Sequence, residues 1–327
     1  MKTVLVTGGC GFIGSHLTAY LKKKKFRIIV IDNLKIGKKL LFRGNKLYTV
    51  DLNNKKKLEK IFKENTIDSV VHLAGLSKLT ESFKKRNLYE KNNINCTKNI
   101  IDLVKKYNVK NLIFSSSASV YGKQKKFPIT ENSKLKPISY YGKTKLSCEK
   151  IIKRNSSTKT FKSISLRFFN VIGSSYKNKL GEVHNPPIHL MPIFIRQILR
   201  NKPISMRYGF NTNDSTGERD YVDVADIVNA HYLCLIKIEN FKKNFNVINL
   251  GSKKSFSVLK IFKFLKKNFN KRNIKILKFK KLRGEPDKLL ASNDKAYKIL
   301  GWKPKVGINI SIKNMIKWEK YKIIKKM

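Results

Sequence analysis

Tyr141 and Lys145 stand four residues apart in Tyr141-Gly142-Lys143-Thr144-Lys145, so in a helix they share one face. A tyrosine so placed is a candidate base, able to take the proton of a hydroxyl as hydride leaves the same carbon. Free tyrosine has a pKa of about 10 and is too weakly ionised at neutral pH for that work. A neighbouring ammonium favours the phenolate, and so would a positive nicotinamide ring bound alongside. The spacing alone says little in a lysine-rich chain, because a partly buried Tyr beside a solvated Lys gives the same pattern. Position gives it weight. An apolar run ends in Phe114-Ser115-Ser116-Ser117-Ala118-Ser119-Val120-Tyr121-Gly122, about twenty residues upstream, which brings a hydroxyl cluster and the base to the carboxyl edge of a sheet, where open α/β sheets place ligands. A serine there can hydrogen-bond both the reacting oxygen and the tyrosine.

A place for the cofactor lies at the start of the chain. Gly8, Gly11 and Gly14 fall in Thr7-Gly8-Gly9-Cys10-Gly11-Phe12-Ile13-Gly14, between the apolar run Val4–Val6 and a helical pattern over Ile13–Leu21. Glycines at that junction let backbone N–H groups and the helix N-terminus approach a pyrophosphate, and the last one permits close helix–strand contact. Asp32 closes the second strand eighteen residues after Gly14, where a carboxylate accepts from the adenosine ribose and repels a 2′-phosphate, so NAD is expected rather than NADP. Asp51 follows the third strand and suits either an adenine contact or a helix cap. Cys10 reads as small filler in the turn. The bland alternative, a loop glycine cluster followed by a capping Asp, does not explain why strand, turn, helix, strand and acid occur in this order.

The elements that must position these groups are legible as apolar runs at Arg27–Ile31, Leu47–Val50, Ser69–Leu73, Leu112–Phe114 and Ser163–Leu166. They alternate with helical patterns at Lys55–Lys63, Asn92–Lys106 and Tyr141–Lys153. This predicts an α/β protein: a Rossmann-type doubly wound parallel sheet with helices on both faces and a smaller C-terminal substrate-binding lobe. Residues 1–172 are assigned to the dinucleotide-binding part, with 216–250 packing back onto it, and residues 173–215 and 251–327 to the lobe. Helices are expected at Pro192–Arg200, Asp223–Ile236, Val258–Phe269 and Ser311–Ile324, and a strand at Val247–Leu250.

Composition bounds the rest. Lys and Arg number 72 against 21 Asp and Glu, a formal net charge of +51. The lysines are spread over many segments rather than gathered in one tail, so they are assigned to solvated faces and not to a nucleic-acid surface. Hydrophobic residues at 41% allow a real core. Four scattered cysteines, a start that enters a strand directly and the lack of a membrane-length apolar run point to a cytoplasmic protein with no membrane partner. His184 and His189 have no carboxylate or Cys partner in metal-ligand spacing, so no metal is expected.

With these elements in place, the chain resembles the UDP-glucose 4-epimerases of the extended short-chain dehydrogenases over essentially its whole length. The match is carried by TGGCGFIGSH, HLAGLSKLTES, NNINCT, FSSSASVYG, YGKTK, LRFFNVIG, GEVHNPPIHLMP, GERDYVDVADI and GEPDKLLASNDKA with GWKP. The resemblance implies a catalytic pair of Ser117 and Tyr141, with Lys145 binding the nicotinamide ribose and tuning Tyr141. It places NAD contacts at Gly8, Gly11, Phe12, Ile13, Gly14, Asp32, Asn33, Asp51, Leu52, Asn92, Tyr141 and Lys145. Its UDP-sugar contacts fall at Ser117, Tyr141, Asn170, His189, Leu190, Arg219 and Glu285, with Asp220 orienting its neighbours. It implies NAD-dependent inversion at C4 of UDP-galactose and UDP-glucose through a 4-keto sugar, in a homodimer.

Departures from the family pattern are Ser77 for Lys with Lys78 adjacent, Phe168 for Tyr, a shortened loop at Gly209–Asn213, and Leu282 for Arg with Arg283 one place along. Leu289 aligns with the site that limits the C2 substituent. Competing readings are 4-epimerases of UDP-N-acetylglucosamine, UDP-arabinose or UDP-glucuronate, a sugar-nucleotide dehydratase, and a non-catalytic NAD-binding sensor. Ala118-Ser119 stands where a dehydratase has its Asp-Glu pair.

Overall fold

The computed structural model describes residues 1–325 except 157–159, 176, 271–272 and 283–284. The first half runs β1 (Thr3–Thr7), α1 (Phe12–Lys23), β2 (Arg27–Asp32), β3 (Lys46–Thr49), α2 (Lys55–Lys63), β4 (Ser69–His72), the short α3 (Leu79–Lys84) and α4 (Arg86–Tyr89), a π-helical stretch Glu90–Asn95 continuing into α5 (Cys96–Lys106), β5 (Asn111–Ser117), α6 (Tyr140–Ser156) and β6 (Lys162–Phe168). The second half runs β7 (Asn170–Ile172), α7 (Leu190–Leu199), β8 (Ile204–Tyr208), β9 (Glu218–Asp223), α8 (Val224–Lys237), β10 (Phe245–Leu250), β11 (Ser255–Ser257), α9 (Val258–Asn268), β12 (Ile276–Lys280), α10 (Asp294–Leu300) and α11 (Ile308–Ile324).

Seven strands form a parallel sheet in the order β10-β6-β5-β4-β1-β2-β3. Its central strands are buried on both faces, as a parallel sheet between helices requires. Val4, Val6, Ile28 and Val30 join a core that includes Leu17 and Leu21 of α1 and Ile227, Ala230 and Cys234 of α8. The alternate residues Leu5, Ile29 and Ile31 join a second core with Leu58 and Ile61 of α2, Ile100 and Val104 of α5, and Cys148 and Ile152 of α6. The period of two thus sorts neighbouring residues to opposite faces. The chain leaves β1 towards β2 and β3 on one side and β4 onwards on the other, so the turn after β1 lies at the switch point, where such sheets open a crevice.

A smaller body is built from the sheet β11-β9-β7 and the parallel pair β12-β8. Phe194 and Ile195 of α7, Phe262 and Leu265 of α9, and Ile312 and Met315 of α11 share its core. Asp223 joins the two bodies: it caps α8 by accepting from Ala225 N at 2.8 Å and receives the Ser311 hydroxyl of α11 at 2.5 Å.

Under α6 lies a buried polar network. Arg167 of β6 forks onto Glu149, Nη2 to Oε2 at 2.6 Å and Nε to Oε1 at 2.9 Å, with side chains only 3% and 4% exposed. Ser116 donates to the same carboxylate, Arg167 Nη1 bonds the Tyr121 hydroxyl at 2.8 Å, and that hydroxyl donates to Asn249 Oδ1 at 2.6 Å. Substituting Glu149→Gln leaves a buried guanidinium without its counter-charge. It should lower unfolding stability by about 3–5 kcal/mol, read as a shifted denaturation midpoint. A midpoint within experimental error of the parent would mean that the network is dispensable.

Candidate active site

The glycine turn fits a pyrophosphate because it has no room for anything else. Gly8 has a φ of +71°, and a Cβ there would stand 2.8 Å from Ala74 N; one on Gly14 would stand 2.1 Å from Gly8 O. The backbone therefore forms a tight cradle against the N-terminus of α1, whose free N–H groups and dipole favour an anion.

Asp32 ends β2 beside it and accepts from Cys10 N at 3.0 Å and Leu34 N at 2.9 Å. Burial pushes its pKa up, against those two bonds. Asn33 Nδ2 reaches Asp51 Oδ2 at 3.3 Å, and Asp51 also receives Asn53 N and Lys35 Nζ. Burial opposes ionisation of Asp51, but the bonds from Asn53, Asn33 and Lys35 outweigh it and hold the carboxyl at about 2. Asp51 is not the cap of α2: Asn54 is, accepting from Lys57 N at 3.1 Å.

A cleft of about 650 Å³ runs from this cradle to the smaller body, and the residues nominated for catalysis and for NAD and UDP-sugar contact line it. Tyr141 opens the first turn of α6, Lys145 follows one turn on, and Ser117 closes β5 opposite them. The Ser117 hydroxyl accepts from Ser119 Oγ at 2.9 Å and Ser119 N at 3.2 Å, and its closeness favours the phenolate of Tyr141. Lys145 Nζ donates to Ser115 O at 2.7 Å and lies 4.8 Å from the Phe114 ring centroid. Burial brings Lys145 down to about 8 and drives Tyr141 up to about 12, the Ser117 hydroxyl only partly opposing the latter. Desolvation is the largest cause of both shifts, and Lys145 Nζ, held by the Ser115 carbonyl, lies 5.9 Å from the Tyr141 ring centroid.

The other end of the cleft carries the cations. Arg219 donates to Glu218 O at 2.9 Å and Asp287 O at 3.2 Å, with its guanidinium 5.6 Å from the Phe210 ring. Arg207 of β8 lines the same wall, 3.8 Å from Glu285. A pair of guanidinium groups can grip a diphosphate.

Comparison with known proteins places this geometry. Residues 4–251 match the model of the NAD dependent epimerase/dehydratase family. The chain belongs to that family. A UDP-glucose 4-epimerase of Lactobacillus helveticus is 37% identical over 321 residues, covering 97% of each chain. UDP-glucose 4-epimerase 2 of Arabidopsis thaliana is 37% identical over 334 residues, 97% of this chain and 95% of that one. The structure of UDP-glucose 4-epimerase from Bifidobacterium longum in complex with NAD+ and UDP superposes with a TM-score of 0.91 at 32% identity, covering 98% of both chains.

Several features of this epimerase/dehydratase site differ from the sequence reading. His184 and His189 do have a carboxylate partner: the loop folds back so that both imidazoles flank Glu182, an arrangement that spacing along the chain conceals. Leu289, partly buried, packs on the cluster containing Phe169, which lines the cleft. Arg283 lies outside the described residues, and Arg207, unmarked by any motif, stands in the wall with Arg219. Asp220 is an organiser, accepting Ser252 N at 2.6 Å and Ala291 N at 3.0 Å.

Asn93 was also missed. Its Oδ1 receives Leu76 N at 2.8 Å while its Nδ2 donates to Leu76 O at 3.1 Å and Thr144 Oγ1 at 3.0 Å. It fastens the segment after β4 to α6. Asn93→Ala leaves these groups unpaired and should cost about 1–3 kcal/mol, with faster amide exchange at Leu76; unchanged protection of that amide would count against the clamp.

Proposed function

We propose that this protein is a UDP-glucose 4-epimerase, interconverting UDP-galactose and UDP-glucose with NAD through a 4-keto sugar. What carries the reading is the convergence of Ser117, Tyr141 and Lys145 on the middle of one cleft that has the glycine cradle at one end and Arg207 and Arg219 at the other. Homology to named epimerases across nearly the full chain supports it.

In this reading residues 1–172 and 216–250 hold the cofactor, at Gly8, Gly11, Phe12, Ile13, Gly14, Asp32, Asn33, Asp51, Leu52 and Asn92. Residues 173–215 and 251–327 receive the nucleotide-sugar through His189, Leu190 and Glu285, joined by Asn170 of β7 and Arg219 of β9, whose short strands belong to the smaller body's sheet. NAD, when bound, supplies a reversible hydride acceptor and a positive ring. Tyr141 takes the C4 hydroxyl proton and returns it, and Ser117 holds that oxygen within transfer distance. Lys145 anchors the ribose. Arg219 grips the diphosphate while the flattened sugar turns over.

The protein is further inferred to work as a cytoplasmic homodimer. Among the described residues no helix is long and apolar enough to cross a membrane.

Purified protein incubated with UDP-galactose and no added NAD should yield UDP-glucose by chromatography. No product even after NAD is supplied would sink the assignment. Tyr141→Phe should lower kcat by about 10²–10⁴ with bound NAD retained; an undiminished kcat would remove Tyr141 from the chemistry.

The pH dependence has a definite sign. Phenolate is the working form, and burial pushes the Tyr141 pKa up to about 12, so activity should rise with pH and fall as acid protonates the base. The positive cofactor ring should move the inflection of the holoenzyme below that value, which a kcat–pH profile measures.

A further inference from the structure

The loop from Gly181 to His189, which leads into α7, is held at its backbone by α11. Trp318 Nε1 and Lys322 Nζ both donate to the Glu182 carbonyl, at 3.0 and 2.8 Å. Gly181 lies so close to the Trp318 ring that a Cβ would meet Nε1 at 2.3 Å. Arg196 of α7, itself bonded to Glu319 Oε2 at 2.9 Å, donates to Asn185 Oδ1 at 3.1 Å and His184 O at 3.4 Å.

These contacts fix the main chain and leave three side chains facing one another. One ligand atom each from Glu182, His184 and His189 lies within 4.8 Å of the others. Glu182, 5% exposed, has Oε2 at 2.7 Å from His189 Nδ1 and Oε1 at 3.3 Å from His184 Nδ1. Glu182 Oε1 and His184 Nδ1 are buried and, despite that approach, neither makes a hydrogen bond. A buried carboxylate oxygen and imidazole nitrogen left unbonded face to face are costly, and a shared cation would satisfy both.

We propose that Glu182, His184 and His189 bind one zinc-type divalent cation on the wall of the cleft. Two imidazole nitrogens and a carboxylate oxygen suit zinc, whereas magnesium and calcium take oxygen sets. Ligand distances of about 2.0–2.2 Å are reached by rotating the three side chains on a backbone that α11 already holds. All three residues line the cleft, so the remaining coordination position opens towards it. The ion would pin the loop that presents His189 and Leu190 to the nucleotide-sugar end. This goes beyond the epimerase reading, and its readout is metal, not turnover.

Untagged protein, treated with a chelator and checked for retained NAD and circular dichroism, is titrated with Zn²⁺ against a chromophoric chelator and separately with Co²⁺. One saturable equivalent is expected, with a visible cobalt band of low coordination number. Glu182→Gln, His184→Ala and His189→Ala should each weaken binding at least about tenfold. His189, with its side chain 47% exposed, is the substitution least able to disturb folding. Absence of saturable binding, or equal binding by the folded His189→Ala protein, would overturn the site and leave a metal-free ion-paired triad, with the epimerase assay unaffected as evidence.

Discussion

The bidentate pair between Arg167 and Glu149 is the interaction on which the reactive geometry depends. Glu149 stands one helical turn beyond Lys145 on α6, and Arg167 lies near the carboxyl end of β6, between β10 and β5. Taking both charges out of water carries a large penalty, recovered only when every remaining donor and acceptor is matched. Here the matching draws in Ser116, the neighbour of Ser117, together with Tyr121 and, through it, Asn249 of β10. The pair therefore fixes α6 in angle and height against three strands, and so fixes Tyr141 and Lys145 relative to Ser117. An apolar core could hold the helix as tightly, but it would specify its register less sharply.

That rigidity has an electrostatic consequence. A site dry enough to hold Tyr141 this firmly also makes its phenolate expensive, and the same burial weakens the charge on Lys145. A tyrosine so buried needs a neighbouring positive charge to serve as a base. Charge must arrive with the cofactor, whose positive ring is what a desolvated phenolate lacks. The strong net positive charge of the chain does not do this work, since most of it lies on surface lysines screened by solvent and salt.

What the sequence revealed and what it hid follow from the range of the interactions. Strands of the large sheet announce themselves because burial on both faces forces continuous apolar runs such as Val4–Val6 and Ile28–Ile31. The glycine turn and the Tyr/Lys helix are local, and their spacing is their geometry. The short strands β7, β8, β11 and β12 were not anticipated: β7 and β11 span three residues, β12 is largely exposed, and β8, although its residues alternate between buried and exposed, spans only five. Arg207, Asn93 and the Glu182 triad escaped for another reason. Arg207 and Asn93 act through partners from distant parts of the chain, whereas Glu182, His184 and His189 meet because their own loop folds back, which spacing alone does not encode.

The two ends of the cleft are consequently built on different principles. The cofactor end is a property of one sheet edge, where successive βα units deliver their loops to a common place. At the nucleotide-sugar end, Arg219 rests near Phe210 and Asp287, Arg207 borders Glu285, and the loop bearing His189 hangs from Trp318 and Lys322 of α11. Each of these contacts joins segments far apart in the chain, so a small change in any one shifts the grip on the substrate without touching Ser117 or Tyr141. In the proposed reading the rigid sheet would hold the reactive groups, while the loops around Arg219, Arg207 and His189 would meet the nucleotide-sugar. The departures at Ser77 and Leu282 fall on a cleft loop or beside one, where they can alter affinity while the proton-transfer geometry stays intact.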